Sequence, residues 1–373
     1  MSVLPPLDPA SLHHAKEILL HAIEYKSFPG TVLAVGHLGR LSLIPVGTLT
    51  YEQDSPAVAE NTVYDLASLT KPIVTATCAM LLVDSGKLDL DSPVSAYLPE
   101  FIDESSEFTD SEFVIREKVT IRHLLSHTSG LPAYEKFFLR VRKKEHVIQE
   151  ACSIRIKQPL FYRTVYSDIG FILLGEIIER ISGKTLDVLF QNRIAQPLGM
   201  SKMGFNSAPQ NWMQIAPTER DHSFRQKLIQ GEVHDENAWV MGGVSGHAGL
   251  FGNAGDLGIF CQMMLQQGRW EKQQLVQPKT IQEFTAAHPA SQGAPFALGW
   301  DKPSGHSSSG KYFSVRSFGH LGFTGTSIWI DPQKDLFVIL LTNRVHPTRD
   351  NTAIKPLRPR IHDAVVEGLV LPT

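Results

Sequence analysis

The sequence predicts a mixed α/β fold of the α+β type: one antiparallel sheet built from both termini and flanked by helices, with a large, mostly helical insertion. Three observations carry this. An amphipathic helix and a hairpin pattern open the chain, strand patterns and a helix close it, and helical periodicity dominates the stretch between. On this reading residues 1–373 form a single domain, in which 1–65 plus about 250–373 supply the sheet and about 72–249 the helical part.

Ser11 to Tyr25 places Leu12, Ala15, Ile18, Leu19 and Ile23 on one side of a helix. Thr31–Val35 and Leu41–Val46 are short apolar runs on either side of a turn at Gly39, the pattern of a hairpin. Tyr64 to Gly86 reads YDLASLTKPIVTATCAMLLVDSG, and its run from Ile73 to Val83 is apolar almost all round, which marks a buried helix that Gly86 can end as a left-handed cap. The acidic stretch Asp89–Glu117 reads as surface loops. Thr120 opens a short helix closed by Gly130 and Pro132, and 135–152 reads as helical and basic. GFILLGEIIERISG after Asp168 is a helix that ends at Gly183, and the next runs to about Arg193 and stops at PLGM.

From Asn206 to Trp239 periodicity fades into the polar segment QGEVHDENAW, and the aromatic and charged content of that long segment points to an ordered, functional loop. GGVSGHAGLFG follows, where five glycines in eleven residues require sharp turns or close backbone approach. Helices near 255–267 and 278–287 precede a Gly/Ser/Pro loop over 289–310. Phe313–Phe318, Thr326–Ile330 and Leu336–Leu341 read as strands, and 359–369 as a closing helix. No internal repeat is visible.

Composition narrows the function classes. With 42% hydrophobic and 20% charged residues the chain has the make-up of a globular protein, and a formal net charge of -3 gives no electrostatic footprint for nucleic acid. The opening MSVLPPLDPASLHHAKEILLHAIEY lacks a basic region followed by an apolar core, and no run approaches the roughly 18 apolar residues that cross a membrane, so the expectation is a cytoplasmic protein with no membrane partner. Cys78, Cys152 and Cys261 are widely separated and odd in number, which fits reduced thiols. The oligomeric state is not legible.

The chemistry centres on Ser68 and Lys71. Residues three apart on a helix share a face, with Cβ atoms about 5–6 Å apart, so this hydroxyl and this amine can meet. Pro72 is tolerated in a first helical turn, where its nitrogen has no intrahelical acceptor to lose. A serine at the start of a buried helix with a lysine one turn on is the layout of an activated nucleophile. A second such spacing, Ser308 and Lys311, lies in GHSSSGK, which cannot hold a helix and fix the pair.

Three patterns then occur in order: SLTK at 68, YSD at 166 and HLG at 320. Together with HLLSHTSGLP at 123–132, YSDIGFILLG at 166–175, PLGM at 197–200 and HLGFTGTSIWIDP at 320–332, they make nearly the whole chain resemble the class C β-lactamase-related serine hydrolases. That family includes β-lactamases, DD-peptidases, esterases and amidases. The resemblance implies a β-lactamase/transpeptidase-like fold and a serine hydrolase working through an acyl-enzyme. In it Ser68 is acylated, Lys71 and Tyr166 share proton removal and return, and the backbone N–H groups of Ser68 and Phe323 form the oxyanion hole. It also implies that Asp168, His320, Leu321 and Gly322 contact substrate. Such a base is commonly worth about 10²- to 10⁴-fold in rate, and one oxyanion donor about 10²- to 10³-fold. Which of Lys71 and Tyr166 is the base is not readable from sequence.

Departures from the family pattern bear on substrate. Asp168 stands where the family usually has Asn, and an ionised carboxylate beside Lys71 favours the ammonium. His320 replaces lysine and Leu321 replaces a hydroxyl residue, which removes one donor and leaves a largely neutral imidazole where β-lactamases hold the ligand carboxylate. The expectation is a hydrolase of short esters, non-β-lactam amides or cell-wall muropeptides, with a β-lactamase or DD-peptidase as the alternative. QGEVHDENA with SGHAGLF resembles a subgroup associated with N-acetylmuramoyl-L-alanine amidase activity, and this adds His234 and Asp235 to the substrate-binding candidates.

Competing readings are a catalytically silent binding or sensor module, disfavoured by the intact Ser68, Lys71 and Tyr166, and a metal-dependent amidase using His222, His234, Asp235 and His247. The irregular spacing of those four residues disfavours the second, there is no HExxH, and the chain calls for neither metal nor cofactor. GVSGH at 243–247 resembles a nucleophile elbow but lacks its final glycine and preceding strand.

Overall fold

The computed structural model describes residues 4–102, 108–156, 158–206, 215–288, 293, 295–305 and 307–369. Its central feature is a five-stranded antiparallel sheet built from both ends of the chain. The first hairpin gives β1 (Gly30–His37) and β2 (Arg40–Gly47), and the last part of the chain gives β3 (Phe318–Leu321), β4 (Ser327–Asp331) and β5 (Leu336–Thr342). The spatial order is β3-β4-β5-β1-β2, so the two ends meet where β1 pairs with β5, from Thr31 opposite Thr342 to His37 opposite Leu336. An antiparallel sheet often shows water one face, and its strands then alternate. Here the central strands are buried on both faces and read as continuous apolar runs.

Leu33, Val35, Val338 and Leu340 face the first and last helices, α1 (His13–Glu24) and α5 (Ile354–Leu369). Val32, Ala34, Ile339 and Leu341 face the larger core. That core holds α2 (Thr77–Asp84), α3 (Asp168–Ser182) and α4 (Ala254–Leu265). The three cysteines are free and buried.

The segment entering α2 is not simple α-helix. Ala67–Leu69 is a 3₁₀ turn, Lys71–Ala76 has π-helical bonding, and α-helix begins only at Thr77. A π turn inserts a residue into the i→i−4 ladder, a distortion frequent at functional sites. Ala67–Asp84 is long and apolar enough by composition to cross a membrane, contrary to the sequence reading; it is 78% buried as the centre of the core.

Other expectations are corrected. The acidic stretch 89–117 holds 3₁₀ turns at Val94–Ala96 and Pro99–Ile102 and an α-helix at Asp110–Glu117. Within that last helix Arg116 is fully buried, because its guanidinium finds the carbonyls of Phe101, Cys152 and Ile154. The helix opened by Thr120 spans only Ile121–Leu125 and stops well before Gly130. Residues 135–152 divide into a 3₁₀ turn at Phe137–Leu139 and an α-helix at Lys144–Ser153.

The helix expected to run to about Arg193 continues through Pro197 to Leu198 and stops within PLGM, where Gly199 caps it at φ 73°. Phe313–Phe318 is not a strand: Phe313 plugs the smaller core beside Trp329, and pairing starts at Phe318. The closing helix starts at Ile354 rather than 359. Parts of the 206–239 segment and of the 289–310 loop lie outside the described residues.

Candidate active site

A cleft of about 880 Å³ opens where the 3₁₀ turn before α2, the start of α3, the end of β3 and the polar loops converge. Ser68 lies on its floor. The turn that presents Ser68 is strained: Ala67 has φ 47°, a conformation that costs a non-glycine residue about 1–3 kcal/mol. Asp65 holds it there. One carboxylate oxygen of this buried side chain accepts from Ala67 N–H at 2.8 Å, and the other accepts from His234 N–H at 2.6 Å. The polar loop is thereby tied directly behind the serine.

Lys71 is fully buried, with a carboxylate, a hydroxyl and a carbonyl oxygen around its ammonium. They are Asp168 Oδ1 at 2.6 Å, Ser68 Oγ at 3.0 Å and the His247 carbonyl at 3.1 Å. Burial pushes its pKa down, but Asp168 and then Tyr166 outweigh this, and the net direction is up. Lys71 is a held cation.

Tyr166 stands beside it, its ring centroid 4.8 Å from Nζ, with Lys71 and Ser68 as hydrogen-bonding neighbours of its hydroxyl. Burial raises the Tyr166 pKa against the pull of Lys71, so the resting group is a neutral phenol. The local sequence sets this geometry. Ser167 caps α3 by accepting from Gly170 N–H, which puts Asp168 in the first turn with Tyr166 just outside.

The third pattern closes the cleft. The turn after β3 is stitched to the serine segment by Thr324 Oγ1 donating to Asp65 O at 2.7 Å and Thr326 Oγ1 to Leu66 O at 3.2 Å. Gly322 is required there, since a Cβ would lie 2.0 Å from Thr326 Oγ1 and 2.7 Å from Leu66 O. Phe323 is thereby set at the mouth, half exposed, lining the same cleft as Ser68. His320, Leu321, Gly322, Asp168, His234 and Asp235 line it too. His320 is buried, and burial together with the Lys71 charge pushes it down to about 3. The cleft therefore meets a neutral imidazole at this position.

Of the residues weighed as metal ligands, two pair with each other and a third pairs with a glutamate outside the set. His247 Nε2 lies 2.9 Å from Asp235 Oδ1, His234 Nε2 lies 3.0 Å from Glu219 Oε2, and His222 is exposed. No group of three or more His, Cys, Asp or Glu side chains is arranged to hold a metal among the described residues. Ser245 is buried and hydrogen-bonded to His247 Nδ1, and Ser308 accepts from Trp329 Nε1, so both other serines have structural partners.

Sequence reasoning missed several contributors. Asp65 acts through its Asx-type turn, two residues before Ala67. His127 packs its ring 4.7 Å from that of Tyr166, and the His247 carbonyl meets Lys71 across the fold. Arg344 and Arg358 also line the cleft, bonded to carbonyls, and neither is ion-paired with a carboxylate among the described residues. Only the Asp65 turn left a local signal.

Comparison with known proteins agrees with this architecture. The sequence model of the family described as Beta-lactamase matches residues 17–361. An N-acetylmuramyl-L-alanine amidase of Bacillus subtilis (strain 168) is 37% identical over 379 aligned positions, covering 93% of this chain and 82% of the relative. Among solved structures, EstCE1, a hydrolase with promiscuous acyltransferase activity, superposes with a TM-score of 0.76 at 24% identity over 95% of this chain and 98% of its own. A penicillin-binding protein homologue from Caulobacter crescentus gives 0.75 at 19% identity over 99% of each chain. At those identities the two structures speak for the fold.

Proposed function

This chain belongs to the beta-lactamase family of serine hydrolases, and we propose that within it the protein is an amidase that cleaves muropeptide amides through an acyl-enzyme on Ser68. The observation that carries the reading is where the loops resembling an amidase subgroup sit. His234 N–H is bonded to Asp65 directly behind the nucleophile, and the His247 carbonyl accepts from Lys71, so both loops are walls of the reaction cleft. A relative with amidase as its name, alike over 93% of this chain, supports the same substrate.

In the proposed mechanism the Tyr166 and Lys71 pair first loses one proton to solvent; Ser68 Oγ then attacks the amide carbonyl, its proton passes to that pair, and the carbonyl oxygen is held by the N–H groups of Ser68 and Phe323. The same pair returns the proton to the leaving amine, and water then releases the acyl group. Asp168 holds Lys71 as an electrostatic partner rather than a free base. Arg344 and Arg358 make the cleft favourable to an anionic substrate, since neither makes an ion pair with a carboxylate among the described residues. Neutral His320 and donorless Leu321 withhold the grip on a β-lactam carboxylate that a lysine and a hydroxyl would give.

Steady-state rates on an N-acetylmuramyl-L-alanyl dipeptide, p-nitrophenyl butyrate and nitrocefin, measured side by side, test this. The muramyl amide should lead in kcat/KM and nitrocefin should trail, with all activity lost in Ser68→Ala and unchanged by a chelator. Nitrocefin leading by about tenfold, the worth of roughly 1.4 kcal/mol in the transition state, overturns the substrate assignment.

A further inference from the structure

Two histidines flank Tyr166, and their partners fix where each carries its proton. His320 Nδ1 lies 2.9 Å from its own Leu321 carbonyl, which can only accept, so Nδ1 bears the hydrogen. His127 Nδ1 accepts from Ser167 N–H at 3.0 Å, so its hydrogen sits on Nε2. The outer nitrogens therefore differ: His127 offers an N–H and His320 offers a lone pair. Both Nε2 atoms are buried and make no hydrogen bond among the described residues. Buried polar atoms without partners are uncommon and need a reason.

The hydrogen bonds around Ser68 supply one. Lys71 has only donors, and it donates to Ser68 Oγ at 3.0 Å. Ser68 must then direct its own proton elsewhere, and the Tyr166 hydroxyl is its neighbour. For Tyr166 Oη to accept a hydrogen bond from Ser68, its own hydrogen has to point away from Ser68 and Lys71, toward an acceptor. His127, with its ring 4.7 Å from the Tyr166 ring, presents a donor and cannot serve. His320, with its ring 5.8 Å away, presents the lone pair.

We propose that His320 is a positioning residue whose Nε2 accepts the Tyr166 hydroxyl hydrogen, directly or through one water, in the acylation-competent state, and so turns the phenol's lone pairs toward Ser68. The inference rests on the reading of Ser68 as the nucleophile. Its polarity is the reverse of what a lysine at position 320 would impose: an ammonium there would donate to the same oxygen and favour the phenolate. The groups facing Tyr166 are Lys71, Asp168, His127 and His320, and Lys71 also bears on His320, while Asp301 lines the same cleft. Neutral at ordinary pH, His320 serves as an acceptor and not as a cation.

The test is kcat, KM and the pH profile of kcat/KM on p-nitrophenyl butyrate for wild type, His320→Leu, His320→Gln and His320→Lys, each also in a Tyr166→Phe background. His320→Leu should lower kcat roughly tenfold or more with KM unchanged, and His320→Gln, whose amide oxygen accepts, should recover most of that loss. His320→Lys should move the ascending limb of the profile to lower pH by about one unit or more. With Tyr166→Phe in place, His320→Leu should cost nothing further. A His320→Leu effect confined to KM, or one undiminished in the Tyr166→Phe background, places His320 against substrate and overturns the proposal. Labelling of Ser68 by a serine-reactive phosphonate, followed in every variant, keeps the two readings apart. Its failure in wild type sinks the nucleophile assignment, whereas its success with the wrong His320 pattern sinks only the positioning role.

Discussion

At Lys71 one side chain decides the charge state. Burial alone would push the amine toward neutrality, yet Asp168 at 2.6 Å holds it as an ammonium. Asp168→Asn should therefore lower the Lys71 pKa, because a neutral amide no longer favours the charged form. The ascending limb of kcat/KM, which reports proton loss from the coupled Lys71 and Tyr166 pair rather than from either alone, should move to lower pH by about one unit or more. A pH–rate profile of the variant that superposes on wild type contradicts this. At this scale the sequence was legible where chemistry is local. Ser68 and Lys71 share a face by spacing, and Tyr166 and Asp168 announce themselves beside a helix start. The His247 carbonyl and the His127 ring were not legible, because each reaches the site through tertiary contacts that leave no trace in spacing.

Between elements, one close approach near the site is glycine against glycine. Gly175 of α3 meets Gly246 of the loop that ends in His247. A Cβ on Gly246 would lie 2.1 Å from Phe171 O and 2.9 Å from Gly175 N, both backbone atoms of a buried helix. The same loop presents Gly246 O to Thr75 Oγ1 at 2.6 Å and the His247 carbonyl to Lys71. Gly246→Ala should therefore push loop and helix apart, costing about 1–3 kcal/mol of stability as overpacking does, and should lower kcat by loosening one of the oxygens around Lys71. Denaturant midpoint and ester turnover unchanged together would show that the contact is not tight. The glycine-rich sequence signalled close approach without saying to what. Strands buried on both faces were legible as apolar runs, whereas Phe313 gave a false strand signal because its ring fills a core gap. Acidic composition likewise concealed the helix at Asp110–Glu117, whose Arg116 is buried on backbone carbonyls that no side-chain pattern reveals.

Across the whole molecule, the sheet that joins both termini sets the reaction geometry. β1 pairs with β5, β5 with β4 and β4 with β3, so the strand ending in His320 and Leu321 is registered through three partners to the first hairpin. Threonines in the turn after it grip the backbone before Ser68, and the core helices bury Lys71 behind that serine. This long-range closure was visible in outline, because strand patterns lie at both ends and helical ones between. The register was not, since nothing in a single strand's apolar run fixes its partner's offset. The central claim is that this convergence makes Ser68, and no other serine, an acyl acceptor. Intact mass spectrometry with peptide mapping after treatment with a serine-reactive phosphonate measures it directly. The account predicts one adduct per chain, on the peptide bearing Ser68 and absent in Ser68→Ala; an adduct on Ser245 or Ser308, or one that persists in Ser68→Ala, would contradict it.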